Sequence, residues 1–357
     1  RQQIPLIYLN IWDDYPAPLY NKPYYESCDT LLGISKQTTN INKLVLGEAA
    51  KGKSLKYVPH GINPTSFYPI DQNYQKYPQF LDYKRNVFSG KEFEYVVFFN
   101  SRNIRRKHPS DLIAAFQLFR ETLPKDKVDK VALLLHTSPI DNNGTDLLAV
   151  RELFGGNDSN VFFTPGGQIS TEQMNWLYNI ADLTVLPSGN EGWGLSLTES
   201  MMAETMIAAT VTGGMQDQMR FLDKKGKWYT PDDKIPSNHF GTYKEHGEWA
   251  LPMFPDAITL VGSPKTPYIW DDIVDFRTIA KTIEKSYKLS PKERTKRGKE
   301  GRKWATSDEA MMSSGWMCKN VDDALIDTIK NFKPSPKFTL DLVEDYPLNT
   351  IKHKITY

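Results

Sequence analysis

From Glu94 onward the chain alternates short, wholly apolar runs with helix-length amphipathic segments, and no other feature narrows its fold as far. The runs Tyr95 to Phe99, Lys130 to His136, Val161 to Phe163 and Leu183 to Leu186 are strand-sized. Between them, Ser110 to Leu123, Thr145 to Leu153 and Thr171 to Ile180 read as helices. Leu112, Phe116, Phe119 and Leu123 give the first of these one apolar face. Strands that are apolar on both faces and separated by helices of this length indicate a parallel sheet covered on both sides. The predicted class is α/β, with a doubly wound parallel sheet.

The front of the chain repeats this pattern only in part. Ile4 to Ile11 and Asp29 to Ser35 read as buried strands, Ser35 caps a helix predicted over Lys36 to Leu46, and Lys56 to Val58 is extended until Pro59 stops it. Strand, helix and strand make about half of a Rossmann-like domain. Residues 1–68 are therefore expected to form a partial N-terminal domain and hinge, 69–305 a complete C-terminal domain, and 306–357 a helix and tail. Asp71 to Glu92 is polar and Tyr-laden, without clear periodicity. Residues 223–267 are rich in Gly, Pro, Trp and Tyr and too long for an ordinary connection. With Trp228, Tyr229, Tyr243 and Trp249 this insertion is either a lid or acceptor platform, or a segment packed on its own domain. Helices are predicted again over Asp272 to Tyr287, Pro291 to Trp304 and Asp308 to about Ile329.

Lys and Arg (44) nearly balance Asp and Glu (43), which gives no reason to expect nucleic acid as a partner. No apolar run reaches the length of a membrane span, so a soluble chain is expected, with peripheral membrane association left open. Cys28 and Cys318 are too few for a disulfide framework and lack metal-ligand spacing; a reducing cytoplasm is the expected home. The chain opens at Arg1 without a Met, which suggests a fragment.

Ligands of doubly wound sheets bind beyond the carboxyl ends of the strands, and three loops fall there. Asn100 to Lys107 follows a strand with four cations, Arg102, Arg105, Arg106 and Lys107, suited to a diphosphate. Taken alone it is equally a solvated basic turn. Pro165 to Ile169 can bring bare backbone against a flat base, although by itself it is only a turn. The third loop, Ser188 to Gly194, carries Glu191 and leads into a helix carrying Glu199. Gly192 and Gly194 allow close approach to the free N–H groups of that helix, where an anion is stabilised. Trp193 on the bland reading is core. Gly47 to Ser54 matches the P-loop pattern, but a helix precedes it and an extended segment follows, which reverses the required context.

Taken in order, VPHGIN at Val58 to Asn63, SRNIRRK at Ser101 to Lys107, EGWGLSLTE at Glu191 to Glu199 and GGMQD at Gly213 to Asp217 resemble the retaining GT-B glycosyltransferases, family 4 in particular, also called glycosyl transferases group 1. The resemblance covers roughly residues 4–220. It implies two Rossmann-like domains and an enzyme that moves a sugar from a nucleotide donor, a UDP- or GDP-sugar, to a carbohydrate, lipid or protein acceptor with retained configuration. By position, Arg102 and Lys107 would hold the diphosphate and Glu191 the transferred sugar. Gly192, Trp193, Gly194 and Leu195 would lie against sugar and phosphate, Glu199 would bind the ribose, and Gln168 and Ile169 would meet the base. No Asp-x-Asp triplet occurs, in keeping with the metal-independent habit of GT-B enzymes, and no cofactor beyond the donor is expected.

The sequence departs from the family at Glu204 and Met206, where small residues, Gly and Pro are usual. By the resemblance, the family's first glycine-rich loop and the histidine of its N-terminal domain are expected to lie outside residues 1–357. A nucleotide-sugar-binding subunit without catalysis, a truncated enzyme, and a GT-B epimerase or phosphorylase are the alternatives.

Overall fold

The computed structural model describes residues 3–164, 169–231 and 238–334. The chain begins with β1 (Ile7–Asn10), α1 (Lys22–Ser27), β2 (Thr30–Gly33), α2 (Lys36–Leu46) and β3 (Ser54–Tyr57). These strands form a parallel sheet in the order β1-β2-β3. The hydroxyl of Ser35 accepts from Thr38 N–H and caps α2, as its sequence predicts. Gly47 to Gly52 is a single 3-10 turn between α2 and β3, so the P-loop match does sit in the reversed context.

One expectation fails here. β1 is not a buried strand: Tyr8 is 42% and Leu9 36% exposed. Its apolar composition reads as burial, but only β2 flanks it in this sheet, and the other edge stands open among the described residues.

After the hinge come α3 (Tyr77–Val87), β4 (Tyr95–Asn100), α4 (Pro109–Glu121), β5 (Val131–His136), α5 (Leu147–Leu153), β6 (Val161–Phe163), α6 (Thr171–Ile180), β7 (Leu183–Leu186), α7 (Leu195–Met202), β8 (Met206–Thr210), α8 (Met215–Met219) and β9 (Ala250–Met253). The strands build a parallel sheet in the order β6-β5-β4-β7-β8-β9. Its central strands are buried on both faces, as wholly apolar runs require. Phe98, Leu133 and Ile207 have no exposed surface, and each such side chain contributes about 2 kcal/mol relative to an exposed one. The aperiodic stretch hid α3, whose Phe80 and Tyr83 pack edge-on against Trp176 of α6.

The segment 223–267 proves to be several things. Trp228 packs against Trp304, Trp304 stacks on Trp249, and Tyr229, His239 and Tyr243 cluster together, while Trp228 also meets Tyr57 and the Lys36 ammonium of the N-terminal part, so these aromatics build core and join the two parts. β9 extends the main sheet, and a hairpin of β10 (Ala257–Ser263) and β11 (Thr266–Ile273) follows. The helix predicted from Asp272 starts only at α9 (Phe276–Tyr287), because Asp272 belongs to β11 and the carboxylate of Asp275 caps the helix.

α10 (Pro291–Ala305) lies on α7. The chain then recrosses beside its own hinge: Ile62 N–H donates to Met312 O, and Ser314 N–H donates to Ile62 O. α11 (Ser314–Asn331) finally docks on the first sheet through Ala324, packed with Leu32 and Val58. The hydroxyls of Thr30 and Thr328 are 2.6 Å apart at this junction, and Lys56 pairs with Asp327.

Candidate active site

β4 and β7 are neighbours, but the strands that follow each lie on opposite sides, β5 beyond β4 and β8 beyond β7. The strand order reverses between them, and a crevice opens at their carboxyl ends. A cavity of about 540 Å3 occupies it, closed on the far side by Ile11, Asp13, Ile34 and His60 of the N-terminal part.

The loop after β4 is unusually tight. Arg105–Lys107 make one 3-10 turn, and His108 closes it in the left-handed conformation (φ 52) before Pro109 starts α4. This turn carries Arg106 and Lys107 back over the strand ends. The loop after β7 is bonded to it: Gly189 N–H donates to Arg106 O at 2.8 Å, and Arg106 Nη1 donates to Asn190 O at 2.5 Å. The ammonium of Lys107 donates to Glu191 Oε1, with both side chains only 9% exposed, and Arg106 Nη1 stands 3.6 Å from Glu191 Oε2. Burial pulls the Lys107 ammonium below its usual range, and the neighbouring Glu191 carboxylate opposes that shift. Asp13, half-buried, faces Arg106 and has its carboxyl pushed up by desolvation.

The N-terminus of α7 forms the floor. Gly194 adopts φ +86, strained for an L side chain, and no side chain caps the helix, so backbone N–H groups remain available where Leu195 and Ser196 line the cavity. Glu199 follows one turn on. Tyr178 Oη donates to Glu199 Oε2 at 2.6 Å, Asn100 Nδ2 donates to Tyr178 Oη at 2.8 Å, and burial raises the Glu199 pKa. Gly214 lets the chain pass beneath the loop: its N–H donates to Glu191 O at 2.9 Å, and a Cβ there would stand 2.1 Å from Gly192 O. The C-terminal hairpin braces the same loop, Asp272 N–H donating to Gly189 O and Asn190 pairing with Asp271.

The fold thus brings Lys107, Glu191, Gly192, Trp193, Gly194, Leu195 and Glu199 to one cavity. Trp193 is also core, 3% exposed, with its indole N–H donating to Thr198 Oγ1. Arg102 is not in that lining. Its guanidinium is 63% exposed and forks onto Asp141, Nε at 2.8 Å and Nη2 at 3.3 Å. Ile169 packs at the margin of the core and does not line the cavity, while Gln168 lies outside the described residues. Sequence reasoning counted Arg106 only as one of four clustered cations, gave no role to Asp13, Asn100 or Tyr178, and did not promote His60, whose ring Nδ1 is buried without a partner among the described residues. Which of four clustered cations reaches the cavity depends on the 3-10 turn, and linear spacing does not reveal that. Among the described residues no group of three or more His, Cys, Asp or Glu is arranged to hold a metal ion.

Residues 83–234 match the family described as glycosyl transferases group 1. Mannosylfructose-phosphate synthase of Agrobacterium fabrum is 27% identical over 196 residues, which is 54% of this chain and 39% of that protein. Sucrose-phosphate synthase from Thermosynechococcus elongatus is similar in structure, with a TM-score of 0.59 at 20% identity over 87% of this chain and 61% of that one. Anabaena HepE, solved in complex with UDP-glucose, gives a TM-score of 0.61 at 14% identity, covering 91% of this chain and 73% of that one. The chain spans less than two thirds of the first two relatives' length. Its fold is of the GT-B type.

Proposed function

Taking residues 83–234 as a segment of the glycosyl transferases group 1 family, we propose that the chain binds a nucleotide-sugar donor in the cavity between its two parallel sheets and transfers the sugar to an acceptor with retention, without a metal ion. The observation that carries this reading is the convergence of two cations, three carboxylates and an uncapped helix N-terminus in one cavity.

In this reading the donor diphosphate lies between Lys107, Arg106 and the first N–H groups of α7. Departure of the nucleoside diphosphate leaves negative charge, which these fixed donors stabilise without reorganising. Arg106 takes the place the resemblance gives to Arg102. Glu199, steadied by Tyr178, accepts from the ribose hydroxyls, and Glu191 contacts the transferred sugar. Lys107 is held by Glu191 before the donor arrives, so the ammonium is positioned in advance for the phosphate. The acceptor approaches past Ile11, Asp13 and His60.

Calorimetry against a panel of UDP-, GDP- and ADP-sugars tests the donor reading. Binding weakened by Lys107→Ala and Glu199→Ala supports it; no binding across the panel sinks it. The open edge of β1, on the acceptor side, favours a second reading in which the chain holds a donor without turning it over. Product analysis with donor plus acceptor panels separates the two.

A further inference from the structure

A second cavity of about 540 Å3 lies at the outer edge of the main sheet, between β9, the loop 241–246, α9 and α10. It shares no lining residue with the cleft between the domains. Leu251, Pro252 and Phe254 give it an apolar wall, and Lys244, Lys285 and Arg297 bring three positive charges to it. No carboxylate is among its lining residues. Glu293 engages Arg297 only at Nε, at 2.8 Å, which leaves the two terminal guanidinium nitrogens without a partner among the described residues. The same holds for the ammonium groups of Lys244 and Lys285. Three like charges are thus gathered on separate elements around one concavity, and the one acid that engages any of them, Glu293 on Arg297, lies outside the lining, so an anion entering the cavity meets a net positive wall.

We propose that this cavity is a binding site for a phosphoryl group whose attached apolar or sugar portion rests on Leu251 and Phe254. Arg297 supplies a guanidinium fork and the two lysines supply point charges, the donor set that recognises phosphate. His246, also in the lining, donates from Nδ1 to Gly247 O at 2.9 Å. Its pKa lies below the usual value, first through burial, with Arg297 and Lys285 adding to the shift. The imidazole therefore reports on the charge in the cavity: an anion bound there offsets those cations and raises the pKa.

The test uses the full chain in a Lys107→Ala background, which weakens anion binding in the cleft lined by Arg106 and the start of α7. The His246 ring resonance, assigned by its loss in His246→Gln, is followed by NMR against pH with and without inorganic phosphate and pyrophosphate. An upward shift of the titration midpoint, with apparent affinity weakened at least about tenfold in the Lys244→Gln, Lys285→Gln double variant, supports the site. A parallel arm measures co-sedimentation with phosphatidylcholine vesicles containing phosphatidylserine or a phosphoinositide. Sedimentation lost in the double variant identifies a lipid headgroup as the phosphate source. A His246 shift without such sedimentation identifies a soluble phosphate compound. No response of His246 to either anion, or the same response in the double variant, overturns the proposal. Because the readout is the ring of His246, which lines this cavity and not the cleft, failure here is distinguishable from failure of the nucleotide-sugar reading.

Discussion

Lys107 and Glu191, 84 residues apart, form a buried ion pair that joins the loop after β4 to the loop after β7. Neither loop alone has a reason to hold its charged residue out of water. Breaking such a pair from one side leaves an uncompensated buried charge, which costs about 3 kcal/mol. Glu191→Ala is therefore expected to lower the urea midpoint markedly, while Lys107→Met with Glu191→Leu recovers most of the loss. A single and a double variant of equal stability would contradict the pair's isolation from water.

Tyr178 links Asn100 to Glu199. Tyr178→Phe keeps the ring's edge-on contacts with Phe67 and Phe98 but removes the donor to Glu199. With Glu199 no longer oriented, nucleotide-sugar affinity is expected to fall about tenfold, or about 1.4 kcal/mol, by calorimetry. Unchanged affinity would place the ribose contact elsewhere.

Asp217 is buried where the C-terminal domain meets α2, accepting from Lys36 N–H at 2.8 Å. Burial pushes its carboxyl up to about 6, against the opposing pull of Lys36. The folded state therefore keeps this proton to a higher pH than the unfolded chain, whose aspartates titrate near 4. The contribution to stability is complete below about pH 4 and is lost as pH rises through about 6, a change on the order of 3 kcal/mol. In Asp217→Asn that component vanishes, so the stability difference between variant and parent should change with pH across this window. A constant difference from pH 4 to 7, measured by urea unfolding, would falsify the assignment.

Gly214 and Gly52 make a matched pair for testing the close packing under the Glu191 loop. A Cβ at Gly214 meets Gly192 O at 2.1 Å, whereas one at Gly52 meets nothing within 4 Å. Gly214→Ala is expected to cost about 1–3 kcal/mol and to weaken donor binding, since the loop must shift. Gly52→Ala should leave both properties near the parent values. The comparison is read from thermal midpoints and calorimetry.

Local patterning was a reliable guide wherever one element satisfied its own requirements. The cap at Ser35 and the span of α2 depend on neighbours in sequence, and both were legible. So were β4, β5 and β7, whose apolar runs have no other use in a folded chain. The hairpin β10–β11 and the helix α3 were missed for one reason. Half-exposed elements mix polar and apolar residues, and their partners, Tyr15 for Trp270 and Trp176 for Phe80, come from distant segments. At the site, chain order placed the loops of Lys107, Glu191 and Glu199 at strand ends and near a helix start, while the choice of Lys107 among four cations came from the family resemblance.

By itself, then, the order of residues determined the doubly wound sheet, the loops that must meet at its reversal, and the charge those loops carry. Only the tertiary structure decided which charges share the cavity. Arg102 turns outward to Asp141 while Arg106, four residues later, reaches Glu191, because one left-handed residue at His108 closes the turn between them and α4. Asp13 and His60 join the site from another sheet altogether. The physical reason is that electrostatic contacts are set by distance through space, and distance across a fold is fixed by packing between elements rather than by spacing along the chain.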